Sequence, residues 1–162
     1  MEILIIFGAK YLIAVLIIIA VVYFFRQSWE IKKELAVFSL ISLPIVYVVA
    51  KISSLFFYNA RPFVNENVIP LIIHAADNGF PSDHTLLSVA IACAVYPYSK
   101  KIGAILFALA LLVGYSRILA GVHHVADIMG SFIIAAVVSF LMYKFILPKV
   151  LKSDVFKKFV GN

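Results

Sequence analysis

Apolar residues fall along this chain in five long blocks, and polar residues collect in short clusters between them. The blocks cover residues 3–25, 34–58, 82–98, 101–120 and 124–147. A membrane-crossing helix needs about 20 mainly apolar residues. Backbone groups in lipid must be satisfied within the segment, which favours helices over open strands. The pattern therefore predicts an all-α, polytopic membrane helical bundle with about five transmembrane helices. Pro44 predicts a kink in the second helix, and Pro148 bounds the fifth. The first block has neither a basic leading region nor a small-residue cleavage site, so it reads as a retained span.

Composition agrees with this picture. The chain has 162 residues, 64% of them hydrophobic and 14% charged, and its mean hydropathy is +1.08. Those values exclude an ordinary soluble domain. No linker, repeat or low-complexity tract divides residues 1–162, which read as one integral membrane domain. Cys93, the single cysteine, excludes an intrachain disulfide and a cysteine-based metal site. A net charge of +6 would suit nucleic acid, but the basic residues flank apolar blocks, so the partner they imply is the bilayer.

Charge also orients the spans. Arg26, Lys32, Lys33, Lys100, Lys101, Lys144, Lys149, Lys152, Lys157 and Lys158 fall on one side, ten of the fourteen basic residues. The positive-inside rule puts that side, with the C-terminus, in the cytoplasm and the N-terminus outside. Three polar clusters then meet at the extracytoplasmic face of the cell membrane: Asn59-Ala60-Arg61-Pro62, Phe80-Pro81-Ser82-Asp83-His84, and Ser116-Arg117 followed by His123 and Asp127.

Ionisable groups near lipid cost about 2.5–3.5 kcal/mol each, so their gathering demands a use. Arg61 alone reads as an interfacial arginine reaching headgroups, although its fork also suits phosphate. Ser82 and Asp83 have the character of a helix start, with Ser82 as N-cap and Asp83 in the first turn. The free N–H groups there form a phosphate cradle. Asp83 should turn its side chain away from such a cradle and His84 should sit beside it. His123 and Asp127 are four apart and share a helix face, which lets a carboxylate fix an imidazole tautomer. A buried structural pair is the alternative reading. Lys51, inside the second span, is a site candidate or a snorkelling lysine. His74 and Asp77 bind substrate or cap a small interfacial helix. His124 shapes the turn.

These residues resemble the type 2 phosphatidic acid phosphatases. That family carries a lysine six residues before Arg-Pro, then Pro-Ser-Gly-His, then Ser-Arg-x5-His-x3-Asp. Arg61-Pro62, Pro81-Ser82-x-His84 and Ser116-Arg117…His123…Asp127 match in order, over about residues 51–130. Asp83 replaces the glycine. Ser54 stands at the lysine position, with Lys51 one turn deeper, about 5.4 Å away. Further identities, from Arg61-Pro62-Phe63-Val64 to His74-Ala75-Ala76-Asp77 and Gly114-Tyr115-Ser116-Arg117, are similar to the bacitracin-resistance type of undecaprenyl-diphosphate phosphatase.

The resemblance implies a lipid phosphatase of cell-wall carrier recycling that cleaves a polyprenyl diphosphate to the monophosphate through a phosphohistidine. It implies His123 as nucleophile, Asp127 as its partner and His84 as acid and base. Phosphate ligands would be Arg61, Arg117, Ser82, the backbone at Asp83, and Lys51. His74, Asp77 and Ser116 are further candidate contacts. No metal or other cofactor is implied. A phosphatidylglycerophosphate or phosphatidate phosphatase would use the same motifs. A transporter would spread polar residues through the membrane depth, and a non-catalytic lipid-binding protein has no need of His84, His123 and Asp127 together.

Overall fold

Helix boundaries follow the apolar blocks closely. The structure, a computed structural model, describes residues 1–153. Its helices are α1 (Glu2–Lys10), α2 (Leu12–Phe25), α3 (Trp29–Phe56), α4 (Pro62–Asn65), α5 (Asp83–Val95), α6 (Lys100–Leu119), α7 (Val125–Leu141) and α8 (Leu147–Lys152). A π-helical turn, Met142–Ile146, joins α7 to α8. Among the described residues, extended pairing is limited to an isolated antiparallel bridge between Ala60 and Asn78. Lys157 and Lys158, which entered the charge asymmetry, lie outside the described residues.

Three runs are long and apolar enough to cross a membrane: α3, α6, and Val125–Lys152. Two blocks differ from the expected straight spans. The first breaks at Lys10–Tyr11 into α1 and α2, bent by 48°. Gly8 explains how α1 leans onto α6: a Cβ there would collide with the Ser116 hydroxyl. The third block is only 13 residues of helix, α5. At 1.5 Å per residue it spans about 20 Å, short of the roughly 30 Å hydrocarbon layer. Eight of its residues are buried. The fifth block also runs past its expected end. The π turn widens the helix before Pro148, which sits in the first turn of α8 and needs no N–H there.

The core is built around α5. Leu86 and Val89 of α5 pack with Leu16 of α2, Val46 of α3, Leu106 and Ala110 of α6, and Ala135 of α7. Lipid tails are as apolar as side chains, so close fit rather than water exclusion holds such helices together. Gly114 permits a close fit beside the polar clusters. A Cβ there would lie 2.6 Å from Ile128 Cγ2 and 3.3 Å from Thr85 Oγ1. The ends of α3 and α6 and the starts of α5 and α7 thus converge at one end of the bundle.

Candidate active site

A cavity of about 290 Å³ opens at that end, lined among others by Lys51, Arg61, His74, His84, Arg117 and His123. Its floor is basic and buried. Arg61 follows the end of α3 in extended geometry, as a residue before proline must, and Pro62 opens α4. The Arg61 side chain is only 5% exposed. Its Nε donates to Asp77 Oδ1 at 2.7 Å and its Nη1 to the Val122 carbonyl at 2.8 Å. Arg117, in the last turn of α6, is 2% exposed and donates from Nη1 to the Ala9 carbonyl at 3.2 Å.

His123 lies between the two guanidiniums. The α6 chain turns at Gly121, whose φ of +71° is a left-handed conformation that glycine adopts freely. His123 is thereby set just before α7. Its Nδ1 lies 3.3 Å from Asp127 Oδ2. Its Nε2 lies 3.2 Å from Arg61 Nη1 and 3.4 Å from Arg117 Nη2. A guanidinium only donates, so the network assigns the proton to Nδ1 and the accepting lone pair to Nε2. Nε2 thus lies between two cations, and His123 lines the cavity. The Arg117 Nε is buried with no hydrogen-bond partner among the described residues.

Burial holds the His123 pKa below the usual histidine value. Arg117 and Arg61 push the same way, and together with burial they outweigh the bond to Asp127. His74 is lowered too, first by burial and then by Arg61 and Arg117. For Asp77, burial alone would raise the carboxyl pKa, but its bond to Arg61 and the neighbouring charges bring it below the ordinary value.

His84 stands in the first turn of α5 and lines the cavity, as expected. Two neighbours behave otherwise. Ser82 occupies the N-cap position, yet its hydroxyl makes no capping bond. It accepts from Thr85 Oγ1 at 3.2 Å, is fully buried, and does not line the cavity. Asp83 does not turn away. Its carboxylate faces the rim, where Lys51 Nζ lies 3.3 Å from both oxygens. The ammonium neutralises a charge that would otherwise oppose an anion. Lys51 is thus engaged with Asp83, while Ser54, at the position where the family keeps its lysine, bonds the Lys51 carbonyl.

This pairing makes a prediction. Lys51→Ala should lower kcat/KM about threefold to tenfold by leaving the Asp83 charge unbalanced. The double variant Lys51→Ala/Asp83→Gly should recover most of the loss. A double variant as poor as the single would make Lys51 a direct phosphate ligand instead.

Of the outer-loop candidates, Asp77 orients Arg61, and the His74 ring stands T-shaped to His123 at 6.1 Å between centroids. Ser116 faces α1 rather than the cavity. His124 forms the turn: it is the N-cap of α7, its N–H donates to Asp127 Oδ2 at 2.9 Å, and its Nε2 lies 3.0 Å from the Ala60 carbonyl. Four contributors lie outside the sequence motifs: Asn59, Asn78 and the carbonyls of Ala9 and Val122. Asn59 Nδ2 donates to Asp127 Oδ1 at 2.7 Å. Asn78 closes the end of α3 through the Ser54 and Phe57 carbonyls, both at 3.0 Å. Two polar residues beside helix-ending Arg-Pro and Gly-Phe-Pro were a weak signal. The carbonyls carry none.

The fold and the cavity together define an all-helical membrane protein with a buried histidine set between two arginines at one end of its bundle. The PAP2 superfamily model matches residues 35–150, and the chain belongs to that superfamily. It is 40% identical over 113 residues to the undecaprenyl-diphosphatase BcrC of Bacillus subtilis (strain 168), covering 70% of this chain and 55% of that protein. It is 33% identical over 129 residues to the putative undecaprenyl-diphosphatase YbjG of Escherichia coli (strain K12), covering 78% and 64%. The chain therefore spans less than two thirds of either relative. The crystal structure of Aquifex aeolicus LpxE is similar with a TM-score of 0.67 at 26% identity, covering 89% of this chain and 86% of that one.

Proposed function

We propose that this chain is a single-domain membrane lipid phosphatase that hydrolyses a polyprenyl diphosphate, of undecaprenyl type, to the monophosphate and phosphate. The observation that carries the reading is the His123 Nε2 lone pair, buried and flanked by two guanidiniums within 3.4 Å. Similarity to the two undecaprenyl-diphosphatases supports the choice of lipid.

In the first step Nε2 attacks the terminal phosphorus. The N–P bond forms as the P–O bond to the leaving group breaks. Arg61, Arg117 and the first N–H groups of α5 hold the equatorial oxygens, where charge collects. His84 gives its proton to the leaving oxygen. Water then loses a proton to His84 and attacks the phosphohistidine, and the N–P bond breaks. Asp127 keeps the proton of His123 on Nδ1 and stabilises the charge that develops on the ring. Guanidinium and helix N–H groups supply the positive charge that a metal would bring, so the reaction proceeds without one. The lipid tail lies between helices, with its headgroup at the extracytoplasmic face. The asymmetry of basic residues supports that orientation.

The test is phosphate release from undecaprenyl diphosphate in detergent with EDTA, from pH 4 to 10. We expect full turnover. We also expect an acid limb below about 6.5, the ordinary histidine value. The sign follows from the site: the attacking ring must be neutral, and burial beside two arginines keeps it neutral to lower pH. Turnover of phosphatidylglycerophosphate alone would move the reading to that lipid. Loss of activity in EDTA would overturn metal independence.

A further inference from the structure

Asp127 has no atom exposed to solvent, so its partners alone decide what its carboxylate does. Its Oδ2 accepts from the His124 N–H and faces His123 Nδ1. Its Oδ1 takes the 2.7 Å bond from Asn59 Nδ2, the shortest of the three. Asn59 is itself held rigidly. Its N–H donates to Asn78 Oδ1 at 3.0 Å, and its carbonyl accepts from the Gly79 N–H at 2.8 Å. The loop then closes on the carboxylate: a Cβ on Gly79 would fall 2.9 Å from Asp127 Oδ2. The bracket comes from the segment that also carries Arg61, two residues on.

From this geometry we infer that Asn59 is a positioning residue for the reaction: its amide pins one oxygen of Asp127 so that the other meets His123 Nδ1 and holds Nε2 towards the phosphorus. Asn59 does not touch substrate. It acts through Asp127, and the inference rests on His123 being the nucleophile. Two effects follow. Without the amide the carboxylate can rotate, and the ring loses its orientation. The carboxylate also loses a donor, so its charge weighs more fully on the imidazole and favours the protonated ring.

The test uses the full chain in detergent, with Asn59→Asp as the isosteric variant and Asn59→Ala beside it. Supporting residues around an active group are typically worth about 10–100-fold. Asn59→Ala should lower kcat by that factor, with KM within about threefold, and the acid limb of kcat should move to higher pH. Asn59→Asp sets a carboxylate against a carboxylate and should lower kcat at least as much. Rapid-quench measurement should find slower phosphohistidine formation in both. Ser99→Ala is the structural control. It removes the hydroxyl that caps the start of α6, at the far end of that helix from Arg117, so it should lower Tm and leave the acid limb in place. Asn59 variants that behave like Ser99→Ala, or that form phosphoenzyme at the parent rate, overturn the inference. If the parent protein itself forms no phosphohistidine, the nucleophile assignment fails instead, and the two failures are told apart. Should Asn59→Ala not fold, the isosteric Asn59→Asp carries the comparison alone.

Discussion

His123→Ala should abolish turnover, by at least about 10⁴-fold, the scale seen when a nucleophile that works as part of a unit is removed. The argument is positional. Nε2 is the one nucleophilic lone pair that the described cavity floor directs between both arginines, at 3.2 and 3.4 Å. Truncation leaves those arginines able to bind phosphate but nothing to attack it. Substrate should therefore still bind, and KM or a competition assay with inorganic phosphate should change little. Radiolabelled substrate quenched in alkali should yield an acid-labile phosphoprotein from the parent and none from the variant. Normal turnover by His123→Ala would falsify the nucleophile assignment. Phosphoenzyme persisting in the variant would move it to another residue, of which His74, with its ring centroid 6.1 Å from that of His123, is the first to examine.

Replacing His84 should produce the second largest loss, about 10²–10⁴-fold, the usual worth of a general acid. The reason lies in the leaving group. The lipid monophosphate departs more easily when it is protonated as the P–O bond breaks, and His84 lines the same cavity as the attacking ring. The loss should depend on the substrate. With dinitrophenyl phosphate, whose phenolate is a weak base and leaves without a proton, His84→Ala should be much closer to the parent in the first step, and phosphoenzyme should accumulate because water is no longer activated. Equal losses on lipid diphosphate and aryl phosphate would give His84 a binding role rather than a proton-transfer role.

The architecture was legible because lipid imposes a simple rule: apolar blocks must be helices, and their ends lie at the surface. That rule placed Arg61, His84, Arg117 and His123 together before any distance was known. It misjudged what depends on packing. The block at 82–98 reads as a span, but its helix is only the 13 residues of α5, most of them buried. Pro44 sits inside the continuous helix α3, whereas the sharp bend falls at Lys10–Tyr11, which no proline announces. Asp83 was expected to face away because a carboxylate repels phosphate. That reasoning treated it alone, whereas Lys51, thirty-two residues earlier, balances it. Ser82 looked like a side-chain cap, but full burial brought its hydroxyl to Thr85. Asn59 belongs to the first polar cluster, but its role was not legible because its partner, Asp127, lies sixty-eight residues away.

The break in the first apolar block reaches further than its own helix. A helix end leaves carbonyls without intrahelical partners, and the Ala9 carbonyl, one residue before the end of α1, receives Arg117. Residues 1–34 fall outside the part of the chain that the superfamily model matches. Support for one guanidinium of the candidate site therefore comes from a segment that no motif marks. A version of the protein trimmed to its motifs would keep every named side chain and still lose that support. For the same reason, a bulky fusion that displaces α1 should be felt at Arg117.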